Sequence, residues 1–260
     1  MIPVPPPPAV PRAAIITGAA KRIGRAIALS LAEAGYAVAV HHLQSHAEAE
    51  GVVREIEARS GRAVALACDL AVEAETEQLI ARAAAALGPV GVLINSASVF
   101  ERDEALTATR ASWDRHLETN LRAPLVLTQA LARALPTDAD GAVINLVDER
   151  VWKLTPHFVS YTISKAGLWT LTQTLALALA PRIRVNAIGP GPVLPSPRQS
   201  EESFTRQYRA TPLARPATPE EIAGAVRFLL DTPSVTGQMI ALDSGQHLGW
   251  TFPGHGVHEE

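Results

Sequence analysis

Short apolar runs alternate with longer helical stretches along almost the whole chain, and this alternation constrains the fold more than any other feature of the sequence. The apolar runs are continuous rather than alternating apolar and polar, so they suit strands that are buried on both faces. Strands of this kind, each followed by a helix, are typical of a parallel sheet with helices on both sides. The sequence therefore predicts a doubly wound α/β fold of the Rossmann type.

The predicted strands cover residues 13–17, 36–42, 63–67, 91–95, 142–147, 184–188 and 239–242. The predicted helices cover residues 22–34, 47–60, 72–87, 112–135, 158–180 and 219–230. One irregular stretch, 189–216, exceeds ordinary loop length, and we interpret it as a substrate loop or lid. No internal repeat or linker divides the chain. We therefore expect one domain over 13–250, a disordered proline-rich tail at 1–12 and a C-terminal tail at 251–260.

Composition excludes several classes of protein. Hydrophobic residues make up 47 % of the chain and charged residues 19 %, as in a globular enzyme, and the net charge of -3 gives no attraction to nucleic acid. The single cysteine, Cys68, allows no internal disulfide and fits a reducing compartment, which we take to be the cytoplasm. No apolar run approaches the roughly 18 residues of a membrane span. His255 and His258 lack metal-ligand partners, and we expect no metal site.

A phosphate-binding turn is predicted where the first strand meets the first helix. Backbone N–H groups and the helix dipole can meet a pyrophosphate there, and the glycines permit close approach. The residues of this turn are Thr17, Gly18, Ala19, Ala20, Lys21, Arg22, Ile23 and Gly24. An ordinary tight turn is the alternative interpretation.

The end of the second strand indicates which dinucleotide binds. It lacks the acidic residue that grips a ribose 2′-hydroxyl in NAD sites. Lys21 and Arg22, with His42, Gln44 and Ser45 nearby, can instead neutralise and hydrogen-bond a 2′-phosphate. We therefore expect NADP(H) as the cofactor, although a purely structural role at the strand end is an equal alternative for His41 and His42.

Tyr161 and Lys165 lie four residues apart near the start of a predicted helix, hence on one face about a turn apart. A nearby cation favours the phenolate and lowers the pKa of the tyrosine. The spacing therefore makes Tyr161 a candidate proton donor and acceptor, assisted by Lys165. Taken alone, such a pair is more often a solvent-exposed pair on the helix surface without a catalytic role.

The ordered set of motifs from about residue 13 to 250 resembles the short-chain dehydrogenase/reductase family. The resemblance rests on Thr17-Gly18-x-x-x-Arg22-Ile23-Gly24, Asp69-Leu70, Asn95-Ser96-Ala97-Ser98, Asn120, the Tyr161/Lys165 pair, Pro190-Gly191 and Asp243-Ser244-Gly245. It implies a homotetrameric Rossmann reductase with strand order 3-2-1-4-5-6-7.

The same resemblance implies roles for single residues. Asp69 would sit by the adenine, Asn95 would line the cofactor, Asn120 would hold a proton-relay water, and Lys165 would also bind the nicotinamide ribose. The remaining residues implied to contact the cofactor are Leu70, Ser96, Ala97, Pro190, Gly191 and Val193. A loop cap at Asp69, a turn residue at Asn95 and a plain helical polar residue at Asn120 are the alternatives.

The most informative departure from the family lies thirteen residues before the tyrosine, where ordinary members carry serine and this chain carries Asp148. A serine there hydrogen-bonds a carbonyl oxygen, whereas a carboxylate repels that oxygen but, in its acid form, can protonate a ring nitrogen. Asp148 therefore favours an imine-like substrate over a ketone. An ion pair of Asp148 with Arg150 or Lys153 is the structural alternative.

Asp148, Lys21-Arg22-Ile23-Gly24 and Asn95-Ser96-Ala97-Ser98-Val99-Phe100 together resemble the pteridine reductase branch of the family. In that branch Arg22 would contact both cofactor and substrate, Ser98 would hydrogen-bond the pterin, and Phe100 would stack on it. Gln44 departs from the branch, which often has Arg there. A packing role for Phe100 and a solvated cation at Arg22 are the alternatives.

These observations predict an NADPH-dependent reductase that transfers hydride to a C=N bond of a dihydropterin or dihydrofolate-like heterocycle. Tyr161, Asp148, Lys165 and Asn120 are the candidate catalytic residues, and Arg22, Ser98, Phe100, Asp148 and Tyr161 the candidate substrate contacts. We expect residues 189–216 and 246–250 to close the pocket. Two rivals remain: a carbonyl reductase or alcohol dehydrogenase acting on a ketone, and a non-catalytic module that binds NADPH.

Overall fold

The computed structural model describes residues 9–196 and 198–249. Within them one parallel sheet has the strand order β3-β2-β1-β4-β5-β6-β7. The strands are β1 Ala13–Ile16, β2 Ala37–His42, β3 Ala63–Ala67, β4 Val92–Asn95, β5 Gly141–Leu146, β6 Ile183–Pro190 and β7 Met239–Leu242. The predicted doubly wound fold and the strand order that the resemblance implied are both confirmed.

The α-helices are α1 Arg22–Glu33, α2 His46–Ala58, α3 Glu73–Leu87, α4 Arg110–Leu117, α5 Ala123–Ala134, α6 Val159–Ala178, α7 Glu201–Arg209 and α8 Pro219–Asp231. Two 3-10 turns cover Glu149–Val151 and Gln246–Leu248, and a π-helical turn covers Glu118–Arg122. The helix predicted over 112–135 is therefore three pieces, with Asn120 in the π turn. Such turns frequently occur at functional sites.

The sheet is buried on both faces, as its apolar strands require. Alternate residues point to opposite sides, so Ile16 and Val38 pack with α1, α2 and α8, whereas Ile15 and Leu93 pack with α3 and α5. Since all strands are parallel, their carboxyl ends meet at one edge, which is where the sequence placed the polar motifs.

Helix α7 lies inside the stretch that the sequence analysis interpreted as an irregular loop. Ser200 caps it by accepting a hydrogen bond from the Ser203 N–H at 3.2 Å. None of its residues is buried. The sequence prediction missed the helix because no apolar face packs into the core.

The N-terminal segment is ordered further than predicted. The Arg12 guanidinium donates to the Ala34 carbonyl at 3.0 Å, the Ala9 carbonyl accepts from the Asp140 N–H at 3.3 Å, and Val10 packs on the core. Disorder up to residue 12 was therefore wrong for 9–12. Residues 1–8, Trp250 and the tail at 251–260, with its two histidines, lie outside the described residues. No described helix has the length and apolarity needed to cross a bilayer.

Candidate active site

A cleft of about 1030 Å³ opens at the carboxyl edge of the sheet. The phosphate turn, the segments that follow β4, β5 and β6, the first turns of α6 and the face of α7 line it. The cleft thus brings the predicted phosphate turn, the Tyr161/Lys165 pair and the predicted substrate loop into one place.

The glycines of the phosphate turn are required by close backbone approach. Gly18 has φ of 66°, and a β-carbon there would lie 3.0 Å from the Ala97 Cα. A β-carbon at Gly24 would overlap the Gly18 carbonyl. Helix α1 begins at this turn without a side-chain cap, so the N–H groups of its first turn are available to an anion.

Thr17 ties the phosphate turn to the segment after β4. Its buried hydroxyl oxygen accepts hydrogen bonds from the backbone N–H groups of Ser96 and Ala97, each at 2.9 Å, and its hydroxyl lies 3.4 Å from the Ile94 carbonyl. Two neighbouring strand ends therefore share one hydroxyl, which holds the two walls of the predicted dinucleotide site in register.

His41 has a structural role in the same turn. Its Nδ1 accepts a hydrogen bond from the Gly18 N–H at 3.0 Å, so its Nε2 carries the proton that meets the Cys68 carbonyl at 3.0 Å. Burial lowers the pKa of His41 to about 4. His41 is therefore neutral at pH 7 and holds the turn.

The residues proposed for a 2′-phosphate lie around the end of β2. Lys21 is exposed and pairs with Glu48 at 2.7 Å, Gln44 is exposed, and Ser45 is half-buried at the start of α2. His42 is buried, with its Nδ1 lacking a hydrogen-bond partner among the described residues, and burial lowers its pKa. Their contact with a 2′-phosphate stays a prediction.

Arg22 joins the turn to the substrate loop. Its φ is 55°, and its guanidinium donates to the carbonyls of Pro195 at 2.9 Å and Leu194 at 3.1 Å. It lines the cleft, and both of its contacts are with the loop, so its predicted contacts with cofactor and substrate stay a prediction. Ile23, which follows it, is half-buried against the core.

Asp69 follows β3 and Asn95 ends β4, so the two residues flank the carboxyl ends of β2 and β1. The Asp69 carboxylate accepts the Ala71 N–H at 2.9 Å, so it caps its own loop, and Leu70 beside it is buried. Asn95 donates to the Asn145 side chain at 2.8 Å, while its own Oδ1 is buried with no partner in the described chain. An orphaned acceptor of this kind calls for a ligand donor or a water.

The end of β6 forms the far wall. A β-carbon at Gly191 would lie 2.7 Å from the Asp243 Cα, so only glycine fits this crossing of β6 and β7. Pro190 and Gly191 line the cleft, and the Val193 side chain is buried in the core below. The contact expected of Val193 would therefore involve its backbone.

The side chains of Tyr161 and Asp148 form a direct hydrogen bond. The buried Tyr161 hydroxyl donates to Asp148 Oδ2 at 2.7 Å, and Asp148 Oδ1 accepts the Arg150 N–H at 2.9 Å. Asp148 forms no ion pair with Arg150 or Lys153 within the described chain; Lys153 donates to the Gln246 carbonyl at 3.1 Å. The ion-pair alternative for Asp148 is therefore wrong.

The pKa of Tyr161 shifts in the opposite direction to the predicted one. Burial raises it well above its ordinary value, and the Asp148 carboxylate raises it further because it repels a phenolate and accepts the phenol's hydrogen bond. Lys165 lies with its Nζ 5.9 Å from the centre of the Tyr161 ring. The proton is therefore held on the phenol, beside a carboxylate that can share it.

Lys165 is buried and donates to the Leu146 carbonyl at 2.7 Å. Burial lowers its pKa to about 8, although the Asp148 carboxylate opposes this shift. Asn120, from the π turn, accepts the Val99 N–H at 2.8 Å, and its amide lies 2.9 Å from the Val99 carbonyl. The Asn120 side chain thus holds the segment after β4, and its role toward a relay water stays a prediction.

Aromatic rings surround the tyrosine. Phe100 stacks on Phe158 with ring centres 4.4 Å apart, and it meets Tyr161 edge-on at 4.7 Å. The Arg150 guanidinium lies 5.0 Å from the Phe158 ring centre. Ser98 is exposed beside this group, with its hydroxyl 3.3 Å from the Val99 carbonyl.

Sequence reasoning missed the roles of Phe158, Arg198 and a buried Asp103–Ser160 contact. Arg198 pairs with Glu101 at 2.6 Å and donates to the Phe100 carbonyl, so it links the substrate loop to the wall that carries Phe100. No motif or spacing announces these contacts, because their partners are 57 to 98 residues apart in the chain.

The comparisons with known proteins agree with this geometry. A sequence profile described as enoyl-(acyl carrier protein) reductase matches residues 18–247. The 3-oxoacyl-[acyl-carrier-protein] reductases of Synechocystis sp. and Staphylococcus epidermidis are each 33 % identical to the chain. Those alignments cover 89 % and 91 % of this chain and 95 % and 99 % of the relatives.

Solved structures are similar over the same extent. The FolM alternative dihydrofolate reductase 1 of Brucella canis, complexed with NADP, superposes with a TM-score of 0.91 at 46 % identity over 95 % of this chain and 98 % of that one. Its Brucella suis counterpart, also with NADP, gives 0.90 at 47 % identity over 92 % and 96 %. A blue fluorescent protein from a metagenomic library, in complex with NADPH, gives 0.84 at 31 % over 90 % and 97 %.

The strand order, the glycine turn at the first strand, the buried Tyr161/Lys165 pair and the profile match point to one conclusion. The chain belongs to the short-chain dehydrogenase/reductase family of oxidoreductases.

Proposed function

We propose that this enzyme is an NADPH-dependent reductase that transfers hydride to a C=N bond of a pterin-like heterocycle. The observation that carries the proposal is the 2.7 Å hydrogen bond from the Tyr161 hydroxyl to Asp148 Oδ2. This pair holds a transferable proton at the point where ordinary family members offer a serine hydroxyl. A ring nitrogen is the base that such a proton suits.

The cofactor side of the cleft fits NADP(H). The uncapped first turn of α1 would hold the pyrophosphate, and Lys21, with Arg22 and His42 near, would hold the 2′-phosphate. Asn95, with its orphaned oxygen, would face the dinucleotide. When bound, NADPH supplies the hydride. The complexes of the two similar Brucella proteins with NADP support this assignment.

The substrate side fits a flat heterocycle. Phe100 offers an aromatic ring 4.7 Å from Tyr161, so a ring stacked on it would lie beside the proton-bearing hydroxyl. Ser98 and Arg22 supply polar groups at the rim. Lys165 would orient the cofactor, and its cation would stabilise the phenolate that remains when Tyr161 gives its proton to the substrate nitrogen, while Asp148 shares that proton. The similarity to two dihydrofolate reductases supports this choice of substrate.

The test is NADPH oxidation by the purified protein with dihydrobiopterin, dihydrofolate, quinonoid pterins and simple ketones. We expect turnover of the pterins, and loss of at least a hundredfold in kcat for Tyr161→Phe. Asp148→Asn keeps the shape but removes the acid, and it should lower kcat for pterins. Turnover of ketones without pterins would contradict the proposal, and equal use of NADH would contradict the cofactor assignment.

A carbonyl reductase is the second candidate, because the matching relatives include 3-oxoacyl-[acyl-carrier-protein] reductases. The discriminating variant is Asp148→Ser, which restores the hydroxyl typical of the family. If the natural substrate is a ketone, this variant should raise activity on 3-oxoacyl thioesters or leave it intact. Under our proposal, it should lower pterin turnover and create carbonyl activity.

We also propose a homotetramer acting in the cytoplasm. The family resemblance and large exposed apolar side chains support the assembly: Ile163 and Leu177 on α6, and Phe228 on α8. The lone cysteine, buried Cys68, suits a reducing compartment. Light scattering coupled to gel filtration tests the assembly, and a mass near four times 27.6 kDa is expected.

A further inference from the structure

Arg150 is a cation at the substrate end of the cleft without a counter-ion among the described residues. It follows Asp148 in the 3-10 turn after β5, and it lines the cleft. Its guanidinium lies 5.0, 5.7 and 5.9 Å from the ring centres of Phe158, Phe100 and Tyr161. Its Nε is buried and has no hydrogen-bond partner in the described chain.

The other arginines that line the cleft differ in that respect, and the first of them, Arg22, donates to two carbonyls of the substrate loop. Arg102 pairs with Glu104 at 2.7 Å, and Arg198 pairs with Glu101 at 2.6 Å. Both of these arginines are mostly exposed and so are also solvated. Arg150 is only partly exposed, and it lies against aromatic rings. Arg150 is therefore the arginine of this cleft whose guanidinium makes neither an ion pair nor a hydrogen bond with the described protein.

The acids beside Arg150 do not serve as its counter-ions. Asp148 accepts the Arg150 backbone N–H and the Tyr161 hydroxyl, and its carboxylate makes no ion pair with the guanidinium. Glu149 is buried, and burial together with the nearby Asp148 charge raises its pKa to about 8, so it is largely protonated at pH 7. Lys153, which donates to the Gln246 carbonyl, is itself a cation and supplies no counter-ion.

A guanidinium that lines a cleft and makes no hydrogen bond or ion pair with the described protein has capacity for a planar anion. Carboxylates match its fork geometry with two parallel hydrogen bonds, and removal from water strengthens that pairing. Because Arg150 lies 5.7 Å from the centre of Phe100, a ring stacked there has this cation as its neighbour.

We propose that Arg150 binds a carboxylate borne by the substrate, so that the preferred substrate is a reduced pterin with an acidic side arm of the folate type rather than a neutral pterin. This inference rests on the proposed function and narrows it to one substrate class. Arg150 is then a specificity residue, whereas the Tyr161–Asp148 pair serves both kinds of pterin.

The kinetic test compares dihydrofolate with dihydrobiopterin for the wild type, Arg150→Met and Arg150→Lys. We expect Arg150→Met to lower the ratio of the two kcat/KM values, dihydrofolate over dihydrobiopterin, at least tenfold through KM. Arg150→Lys should restore part of the ratio. Arg102→Met is the matched control, because it removes a paired arginine from the same cleft, and it should keep the wild-type ratio. Equal losses on both substrates would overturn the proposal, since they would mean that Arg150 acts on Tyr161 or on packing.

A binding test separates this proposal from the proposed function. Calorimetry on the NADP⁺-loaded enzyme compares N-(4-aminobenzoyl)glutamate with uncharged 4-aminobenzamide. We expect the wild type to bind the acid more tightly than the amide. Arg150→Met should lose that preference while its melting temperature stays near that of the wild type. No preference in the wild type, or a preference that survives in the variant, would overturn the assignment of Arg150. Failure to reduce any pterin would instead reject the proposed function, while calorimetry still decides about Arg150.

Discussion

The Asp103 carboxylate closes the amino-terminal end of α6 through Ser160, the second residue of that helix. Asp103 Oδ1 accepts the Ser160 N–H at 3.1 Å, and its Oδ2 accepts the Ser160 hydroxyl and, at 2.9 Å, the Ser112 hydroxyl. The residue in the N-cap position, Phe158, has φ of 59° and offers no side-chain acceptor. A carboxylate from a distant segment thus supplies the cap for the helix that carries Tyr161 and Lys165.

Replacement of Asp103 should destabilise the fold. Burial opposes its ionisation, but the hydrogen bonds from Ser160 and Ser112 hold its pKa below the ordinary value. A carboxylate of this kind contributes stability above its unfolded-state pKa, which is lost as pH falls through the folded one. We expect Asp103→Asn to lower the free energy of unfolding by about 1–3 kcal/mol in urea at pH 7. Ser112→Ala removes one hydrogen bond to Asp103 together with the two that its hydroxyl makes with Thr109. Equal stability of Asp103→Asn and wild type would contradict the role.

Loss of the Thr17 hydroxyl should weaken cofactor binding as well as stability. Thr17→Val keeps the shape of the side chain but leaves the N–H groups of Ser96 and Ala97 without an acceptor. This loss should lower the free energy of unfolding by about 1–3 kcal/mol. The KM for NADPH should rise because the two walls of its site lose their register. Thr17→Ser retains the oxygen and is the control; if it behaves like Thr17→Val, the hydroxyl is not the cause. Urea denaturation and NADPH titration measure the two effects.

Lys165→Met should abolish activity yet stabilise the fold at pH 7. Burial lowers the pKa of Lys165 to about 8 from 10.5, so its charged form is strained in the folded state below pH 8. Between pH 8 and 10.5 the folded protein binds fewer protons than the unfolded chain, and wild-type stability rises with pH. The variant also loses the hydrogen bond to the Leu146 carbonyl, which offsets part of this effect. We therefore expect its free energy of unfolding to exceed that of the wild type by a net amount on the order of 1 kcal/mol at pH 7, and this difference should narrow toward pH 10.5. A less stable variant in urea at pH 7 would refute this.

Glu149→Gln should become more stabilising as pH rises. Burial, then repulsion by Asp148, raises the pKa of Glu149 to about 8 from 4.5, and its Oε2 has no partner within the described chain. Between pH 4.5 and 8 the folded protein binds more protons than the unfolded chain, so wild-type stability falls with rising pH. Glutamine does not ionise, so the stability of the variant lacks this fall with rising pH.

Urea denaturation at pH 5 and 8 measures the difference. From pH 5 to pH 8, the free energy of unfolding of the variant should rise relative to that of the wild type by an amount on the order of 2 kcal/mol. Glu202→Gln, on the exposed face of α7, is the control and should show no such gain. A difference that stays constant between pH 5 and 8 would show that Glu149 ionises as freely in the fold as in the unfolded chain.

Much of the architecture followed from local pattern. Continuous apolar runs require burial on both faces, and helices between them require parallel strands, so the fold and the edge that carries the site were predictable. The exceptions have local causes. Helix α7 buries no residue, and the π turn at Glu118–Arg122 interrupts a periodicity that reads as one helix.

The sequence by itself determined the fold class, the position of the glycine turn and the candidacy of Tyr161 and Lys165, because each depends on spacing along one strand or helix. The candidacy of Asp148 came from the resemblance to the family, which carries serine at that position. Only the tertiary structure decided their state. It raised the pKa of Tyr161 where a neighbouring lysine had suggested the reverse, because burial and the Asp148 carboxylate outweigh a cation whose Nζ bonds to Leu146. Charge and solvation depend on which groups meet across the sheet edge, and that is a property of packing rather than of order along the chain.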